Sequence, residues 1–316
     1  MKQRNDLAFL FPGQGSQAIG MLSSLAERHA VVQKTFIEAS SALGLDLWQL
    51  ASEGPESRLN RTDHTQPLML TAGIAVWRAW REGGGALPAR LAGHSLGEYT
   101  ALVVAGALDF PTAVELVRDR GRYMQAAVPE GEGAIAAVLG LDDAVLATVC
   151  EASADGEVVE PVNYNAPGQT VIAGHRAAVE RSLEAAREAG AKRAVMLPMS
   201  VPAHCSLMKP AAEKLAERLA DVELREPEIP VLHNVDVSLS ADPAAIRERL
   251  VAQVRSPVRW IECIQALSAA GIVEAVECGP GRVLAGLNRR IERGMNIQAI
   301  HDPDSLAKAL NTLEVE

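Results

Sequence analysis

Short apolar runs alternate with amphipathic stretches along most of this chain, and that alternation indicates an α/β fold. The first run, residues 7–11, stops at Pro12 and predicts a buried strand followed by a loop. Apolar residues then recur at three- and four-residue steps from 22 to 43, as on one face of a helix. Further helices are predicted over 67–81 and, after a cap at Asp109, over 111–127, with a short strand at 89–92 between them.

Residues 131–198 follow a different order of elements. The pattern there predicts strand, helix, strand, strand, helix and strand at 134–139, 142–152, 158–164, 170–173, 176–189 and 194–197. This is the order of the ferredoxin-like unit. Helices and strands then alternate again, at 207–219, 229–232, 243–253, 258–270, 272–276 and from about 282. We therefore expect a large α/β domain with a parallel sheet core, formed by residues 1–130 and 199–316, interrupted by a small ferredoxin-like α+β domain at 131–198.

Composition and charge exclude several classes of protein. The 316 residues carry 30 Lys and Arg against 40 Asp and Glu, a net charge of −10 that argues against a sequence-independent nucleic-acid binder. Hydrophobic residues make up 48 %, as in soluble globular domains. The four cysteines contain no C-x-x-C pair, so we expect reduced thiols and no zinc site. The first apolar run is too short for a signal peptide or a membrane span, so we expect a cytoplasmic protein with no membrane contact.

The strongest local motif is the sequence GHSLG at 93–97, which matches G-x-S-x-G, the nucleophile elbow. Small residues are needed on both sides of such a serine because the backbone folds back against itself. A predicted strand precedes the motif and a helix-forming stretch follows it, which makes the large domain α/β-hydrolase-like. We expect Ser95 to be a nucleophile whose oxyanion is stabilised at the start of the next helix. An ordinary strand–helix turn is the alternative.

A serine nucleophile needs a base, and the chain has seven histidines. His29 fits a helix stripe and is better explained by packing, while His64, His175 and His301 fall in predicted loops or caps. His94 adjoins the serine, but its side chain should point away across the turn. We favour His204, in a proline-stiffened loop where the chain returns from the inserted domain, over the alternative His233.

The glycine-rich segment at 13–18 allows two interpretations. It fits G-x-G-x-x-G/A after a strand, the dinucleotide fingerprint, for which Glu38 is the acid at a suitable spacing. A helical stripe precedes Glu38 where that fingerprint needs a strand. The alternative is a loop that approaches the active site and presents Gln14 as an oxyanion donor.

Taken together, the motifs are similar to those of the malonyl-CoA:acyl-carrier-protein transacylases, acyltransferases of fatty-acid and polyketide synthesis. The resemblance lies in blocks spread in the same order over nearly the whole chain, at 11–17, 93–99, 120–125, 163–169, 200–205 and 277–281. It implies that Ser95 is acylated and that His204 is its base, oriented by a backbone carbonyl of Gln253 in place of an acid.

The resemblance also assigns the groups that bind the substrate. Gln14 and the Leu96 N–H would form the oxyanion hole, and Arg120 would bind the free carboxylate of the malonyl group. A planar guanidinium suits that role because it matches a carboxylate bidentately. Gln66 and Asn165 match positions that line the cleft of the family.

The implied reaction is a ping-pong transfer through a malonyl-serine ester, with malonyl-CoA as substrate and coenzyme A as product. We expect no bound cofactor, no metal and a monomer. The partner would be acyl carrier protein, docked by local basic groups because both proteins are acidic. The candidate basic groups are Lys192, Arg193, Arg289 and Arg290.

Three rival functions remain at this stage. A serine thioesterase of the α/β-hydrolase class would have its acid and a late histidine after the serine, and would leave Arg120 without a use. A non-catalytic scaffold subunit would not need Ser95, His204, Gln14 and Arg120 together. An acyltransferase of polyketide or malonate metabolism would use the same residues as one of fatty-acid synthesis.

Overall fold

A computed structural model describes residues 3–199 and 201–314. Ser200, in the block at 200–205, lies outside the described residues. The strands are β1 (Gln3–Phe11), β2 (Leu87–Gly93), β3 (Gly133–Leu139), β4 (Val159–Ala166), β5 (Gln169–His175), β6 (Arg193–Met196), β7 (Val231–Leu232), β8 (Glu274–Cys278) and β9 (Asn296–Ile300).

Helices connect the strands and cover both sheets. They are α1 (Ser23–Arg28), α2 (Ala30–Leu43), α3 (Leu47–Glu53), α4 (Glu56–Leu59), α5 (Thr62–Glu82), α6 (Gly97–Val104), α7 (Phe110–Ala126), α8 (Asp143–Ser153), α9 (Arg176–Glu188), α10 (Lys209–Ala220), α11 (Pro243–Val254), α12 (Trp260–Ala269), α13 (Val283–Ile291) and α14 (Pro303–Thr312). A 3₁₀ turn, Ser206–Met208, precedes α10. Within residues 3–199 and 201–314, none of the helices is both long and apolar enough to cross a bilayer.

The larger sheet is parallel, in the order β7-β2-β1-β8-β9. Its central strand β1 is buried on both faces: Leu7, Phe9 and Phe11 pack into one core cluster, and Ala8 and Leu10 into the other. Successive side chains of a strand point to opposite faces, so a strand covered on both sides must be apolar throughout. That requirement explains the uninterrupted apolar run at the start of the sequence.

The smaller sheet is antiparallel, in the order β4-β5-β3-β6. Helices α8 and α9 pack on it over a core cluster of its own. Backbone hydrogen bonds join it to the rest of the protein, since Val258 N donates to Val162 O and Tyr164 N donates to Val258 O. The fold is therefore mixed α/β, with a parallel sheet and a separate small antiparallel sheet.

Most predicted elements are confirmed, and the errors lie at their ends. The single helix predicted over 22–43 is wrong, because His29 has an extended backbone and divides it into α1 and α2. Helix α5 starts at Thr62, before Pro67, and α12 starts at Trp260 because Val258 is held against β4. The sequence analysis did not identify α3, α4, β9 or α14.

Candidate active site

Ser95 lies in a sharp turn between β2 and α6. Its φ angle is 52°, in the left-handed region that non-glycine residues rarely adopt. A Cβ on Gly93 would lie 1.9 Å from the carbonyl carbon of Gly97, and a Cβ on Gly97 would lie 2.0 Å from Phe11 O. Only glycine fits at either position, so the turn can form against the end of β1 and expose the serine hydroxyl.

The side chain of His204 contacts the hydroxyl of Ser95, with 2.7 Å between Nε2 and Oγ. Its other ring nitrogen, Nδ1, lies 2.7 Å from the backbone carbonyl of Gln253. A carbonyl can only accept, so Nδ1 carries the proton and the lone pair of Nε2 faces the serine. Burial, together with the positive charge of Arg120, lowers the pKa of His204 to about 3. The imidazole is therefore neutral near pH 7 and able to accept the serine proton.

Arg120 is a buried cation beside the nucleophile. Helix α7 places it where only 2 % of the residue is exposed. Its guanidinium donates from Nη1 to Gln66 Oε1 (2.7 Å), and from Nη2 to Gln253 Oε1 (2.9 Å) and Ser95 Oγ (3.2 Å). Its Nε has no hydrogen-bond partner, and no carboxylate among residues 3–199 and 201–314 forms an ion pair with it. A buried charge without a direct ion pair is costly, so the site suits an anion brought by a ligand.

Two cavities lead to the serine. The inner one, about 70 Å³, is lined by polar groups including Gln14, Gln66, Ser95, Arg120 and His204. The outer one, about 380 Å³, has a more apolar wall that includes Leu197, Val283, Leu284 and Leu287. Both are lined by Gln14, His94, Ile135, Asn163 and Met199, so the outer cleft opens onto the inner chamber.

The other residues assigned from the resemblance lie around these cavities. Gln14, in the loop after β1, and Leu96, at the start of α6, line the inner chamber with Ser95. Asn165 lines only the outer cleft, and its Oδ1 accepts from His94 Nε2 at 2.8 Å. His94 thus contacts Asn165, whereas the hydroxyl of Ser95 contacts His204 and Arg120.

The remaining predicted groups lie elsewhere. His233 is fully buried and donates from Nδ1 to Glu98 Oε1 (2.8 Å). Glu38 lies on helix α2 and pairs with Arg78 at 2.6 Å, so the strand and acid of a dinucleotide site are absent there. No cluster of metal-ligating side chains occurs in the described part of the chain. All four cysteines are free and buried.

The four basic docking candidates are exposed but occupy different elements. Arg193 begins β6, an edge strand of the small sheet, and Lys192 directly precedes it. Arg289 and Arg290 lie near the end of α13, and Arg290 donates to Pro167 O (2.8 Å) and Gln169 Oε1 (2.5 Å).

The sequence analysis missed two buried groups beneath the serine, Glu98 and Asn234. Asn234 Oδ1 accepts from Ser95 N at 2.7 Å, and Glu98 accepts from Asn234 N at 3.0 Å. Glu98 directly follows the G-x-S-x-G motif and could have been noticed there, whereas no local pattern distinguishes Asn234.

Comparison with known proteins places this site in a family. Residues 8–297 match the acyl transferase domain family. The malonyl CoA-acyl carrier protein transacylase of Salmonella typhimurium is 54% identical over 303 residues, which cover 96% of this chain and 98% of that protein. The crystal structure of an acyl carrier protein S-malonyltransferase from Vibrio cholerae superposes with a TM-score of 0.94 at 54% identity, covering 96% of this chain and 99% of that one.

A further structural neighbour contains a partner protein. It is a malonyl-transacylase in complex with its type II PKS acyl-carrier protein, with a TM-score of 0.96 at 51% identity, covering 97% of this chain and 99% of that one. These matches extend over nearly the whole chain. The chain belongs to the acyl transferase family, among the malonyl CoA-acyl carrier protein transacylases.

Proposed function

We propose that this protein transfers the malonyl group of malonyl-CoA to the phosphopantetheine thiol of acyl carrier protein, through an ester on Ser95. The observation that carries the proposal is the buried, unpaired cation of Arg120, 3.2 Å from the serine hydroxyl. A site for an uncharged acyl group would gain nothing from such a cation. A site for a malonyl group uses it to bind the carboxylate at the far end of the acyl chain.

The first half of the reaction loads the enzyme. Ser95 Oγ gives its proton to His204 Nε2 and attacks the thioester carbonyl of malonyl-CoA. Gln14 and the Leu96 N–H stabilise the oxyanion that forms. The carbon–sulfur bond then breaks, and the leaving thiolate of coenzyme A takes the proton from His204.

The second half is the same chemistry in reverse order. The thiol of the carrier protein gives its proton to His204, and its sulfur attacks the ester carbonyl. The bond to Ser95 Oγ breaks, and the serine recovers its proton from the imidazolium. The backbone carbonyl of Gln253 holds the Nδ1 proton of His204 throughout, which keeps Nε2 facing the serine.

The two cavities fit the two parts of the substrate. The inner chamber of about 70 Å³ suits a small acyl group, with Arg120 and Gln66 at its carboxylate. The larger outer cleft, with Asn165 and an apolar wall, suits the long pantetheine arm that coenzyme A and the carrier protein share. No resident cofactor is needed for this chemistry.

Docking of the carrier protein would use the exposed basic pairs. The structural neighbour in complex with an acyl-carrier protein supports that class of partner. Because this chain carries a net charge of −10, attraction to an acidic carrier must come from local groups such as Lys192, Arg193, Arg289 and Arg290. Fatty-acid synthesis as the pathway, the cytoplasm as the location and a monomeric state remain predictions from the sequence.

The domain division is also part of the proposal. We assign residues 131–198 to an inserted ferredoxin-like domain and the remainder to an α/β-hydrolase-like domain. The order β4-β5-β3-β6, with α8 and α9 on one face, supports the first assignment, and the elbow after a strand of the parallel sheet supports the second. In place of the acid of a hydrolase triad, a backbone carbonyl contacts His204.

Intact-protein mass spectrometry tests the reaction directly. Wild-type protein mixed with malonyl-CoA should gain about 86 Da, Ser95→Ala should gain nothing, and holo acyl carrier protein should remove the adduct. An adduct that water alone removes at the same rate would indicate a thioesterase. A wild-type protein that forms no adduct would contradict the proposal.

A further inference from the structure

A buried network of polar side chains lies beneath the active-site serine. At its centre is Glu98, fully buried, whose carboxylate accepts from His233 Nδ1 (2.8 Å), Asn234 N (3.0 Å) and Gln253 Nε2 (2.9 Å). Three donors on one carboxylate compensate much of the cost of burying it. The network has no opening to solvent at Glu98, so substrate does not reach it.

Asn234 connects this network to both sides of the serine turn. Its side-chain Oδ1 accepts from Ser95 N at 2.7 Å, and its Nδ2 donates to Gly93 O at 2.8 Å. One amide group therefore bridges the residue two before the nucleophile and the nucleophile itself. Asn234 is fully buried, and Glu98 fixes its backbone.

The backbone of Ser95 needs such support. A non-glycine residue at a φ of 52° costs on the order of 1–3 kcal/mol and persists only where its surroundings hold it. The direction of Oγ depends on that backbone, and Oγ must point at His204 Nε2. The two bonds from Asn234 oppose relaxation of the turn toward negative φ.

The same network is connected to His204 and Arg120 through Gln253. Its side-chain Nε2 donates to Ser95 O at 3.0 Å as well as to Glu98, and its Oε1 accepts from Arg120. A cation on one side and a carboxylate on the other fix the orientation of this amide, because a flipped amide would place donor against donor and acceptor against acceptor. Because the backbone carbonyl of Gln253 also contacts His204, the serine, the histidine and the arginine are all hydrogen-bonded to one buried network.

We propose that Asn234 is a positioning residue of the reaction, whose side-chain amide holds the Gly93–Ser95 turn in the shape that aims the serine hydroxyl at His204. The inference rests on the proposed role of Ser95 as nucleophile. A residue that only stabilises the fold would leave the reactivity of Ser95 unchanged in molecules that remain folded. Loss of the Asn234 amide should instead lower the reactivity of Ser95 in folded molecules.

The test measures the reactivity of Ser95 with a fluorophosphonate, a reagent for activated serines that needs neither malonyl-CoA nor a carrier protein. The variants are Asn234→Ala and a matched control, Asn288→Ala. Asn288 is also a buried asparagine, and its Oδ1 accepts a single bond from Trp260 Nε1 at 3.0 Å. Circular dichroism and thermal melting identify the temperature at which each variant is folded, and labelling is done there.

The expected result is labelling at least about 10-fold slower in Asn234→Ala than in wild type, since a small displacement of a reacting atom has an effect of that size or more. The control should lose melting temperature but label within a factor of about two of wild type. A smaller loss in Asn234→Ala, or an equal loss in the control, would overturn the proposal. Wild-type protein that the reagent does not label at Ser95 would overturn the role of the serine itself.

Asn234→Asp covers the case in which the alanine variant does not fold. The aspartate can still accept from Ser95 N, but it can donate to Gly93 O only when it is protonated. The labelling rate relative to wild type should therefore rise at least about threefold from pH 8 to pH 6, as the buried carboxyl at position 234 takes up a proton. A relative rate that does not change with pH would count against the proposal.

Discussion

Replacing Arg120 with glutamine removes the positive charge of the inner chamber but leaves a polar side chain there. Among the described residues, the guanidinium donates only to neutral oxygens, two from glutamine side chains and one from the serine hydroxyl, and it lies 5.4 Å from the ring centroid of Tyr99. Under the proposed mechanism, its one ionic partner is the substrate carboxylate. The substitution should therefore change kcat/KM for malonyl-CoA and for acetyl-CoA very differently.

The size of the effect follows from the burial of Arg120, which is 2 % exposed. Removing one partner of a buried, hydrogen-bonded charge pair costs about 2–5 kcal/mol. That range corresponds to a loss of roughly 30-fold to several thousand-fold in kcat/KM for malonyl-CoA. Acetyl-CoA has no carboxylate and leaves the arginine unpaired in the wild type, so its kcat/KM should stay level or rise.

The assay follows acyl-enzyme formation by intact mass with each thioester, in wild type, in Arg120→Gln and in Arg122→Gln. Arg122 is a suitable control because it lies on the same helix with 56% of its side chain exposed, in a loose ion pair with Asp119 at 3.8 Å. It should keep the wild-type preference. If folded Arg120→Gln also kept the malonyl-to-acetyl preference of wild type, the carboxylate-binding role of Arg120 would be wrong.

The remaining predictions concern pH, stability and docking. Burial and Arg120 lower the pKa of His204 to about 3, so the rate of acylation should show no inflection near pH 6.5. Arg120→Gln should raise that pKa and shift the acid limb of the pH–rate profile to higher pH. Stopped-flow acylation from pH 5 to 8 measures both effects. The folded pKa lies below the ordinary 6.5, so the unfolded chain binds the proton more tightly and stability is lost as pH falls below about 6.5. Urea unfolding should show His204→Gln losing about 2 kcal/mol less stability than wild type between pH 7 and pH 5, and equal losses would contradict the depressed pKa. Charge reversal at Lys192 and Arg193, or at Arg289 and Arg290, should raise the KM for carrier protein in steady-state kinetics and leave the KM for malonyl-CoA unchanged; no change in either double variant would remove these residues from the docking surface.

Local signals in the sequence were sufficient for most of the fold. Asp109 caps a helix where predicted, and Asp142 caps the helix predicted from that position, because an N-cap needs only its own side chain and a backbone N–H two or three residues away. The errors lie where distant contacts decide the structure. Val258 continues the helical pattern of 258–270, yet it pairs with β4 from another part of the chain. Pairing of that kind leaves no trace in a short window of sequence.

In the active site, too, the local sequence predicts some features, while contacts between distant segments decide the others. Ser95 could be identified from the residues on either side, because the turn itself demands glycines at 93 and 97. Its partners come from distant segments: His204 is 109 positions away and Asn234 is 139. His204 was favoured over His233 only by its loop, and the roles proposed for Arg120 and Gln253 came from the resemblance. Asn234 belonged to no motif and could be found only in three dimensions.

Within residues 3–199 and 201–314, a backbone carbonyl and not an acid contacts His204 Nδ1, and this arrangement has a physical basis in common with the proposed preference for a charged acyl group. Gln253 contacts the imidazole through its backbone carbonyl and Arg120 through its side chain. An acidic side chain at residue 253 would place its carboxylate where Gln253 Oε1 now lies, 2.9 Å from Arg120 Nη2, and would pair with the guanidinium. The malonyl carboxylate would then have to displace a buried ion pair. A neutral carbonyl orients the histidine without that competition. The imidazolium formed during transfer is then stabilised less than in a triad, and we infer that the substrate carboxylate, by neutralising Arg120 nearby, recovers part of that difference.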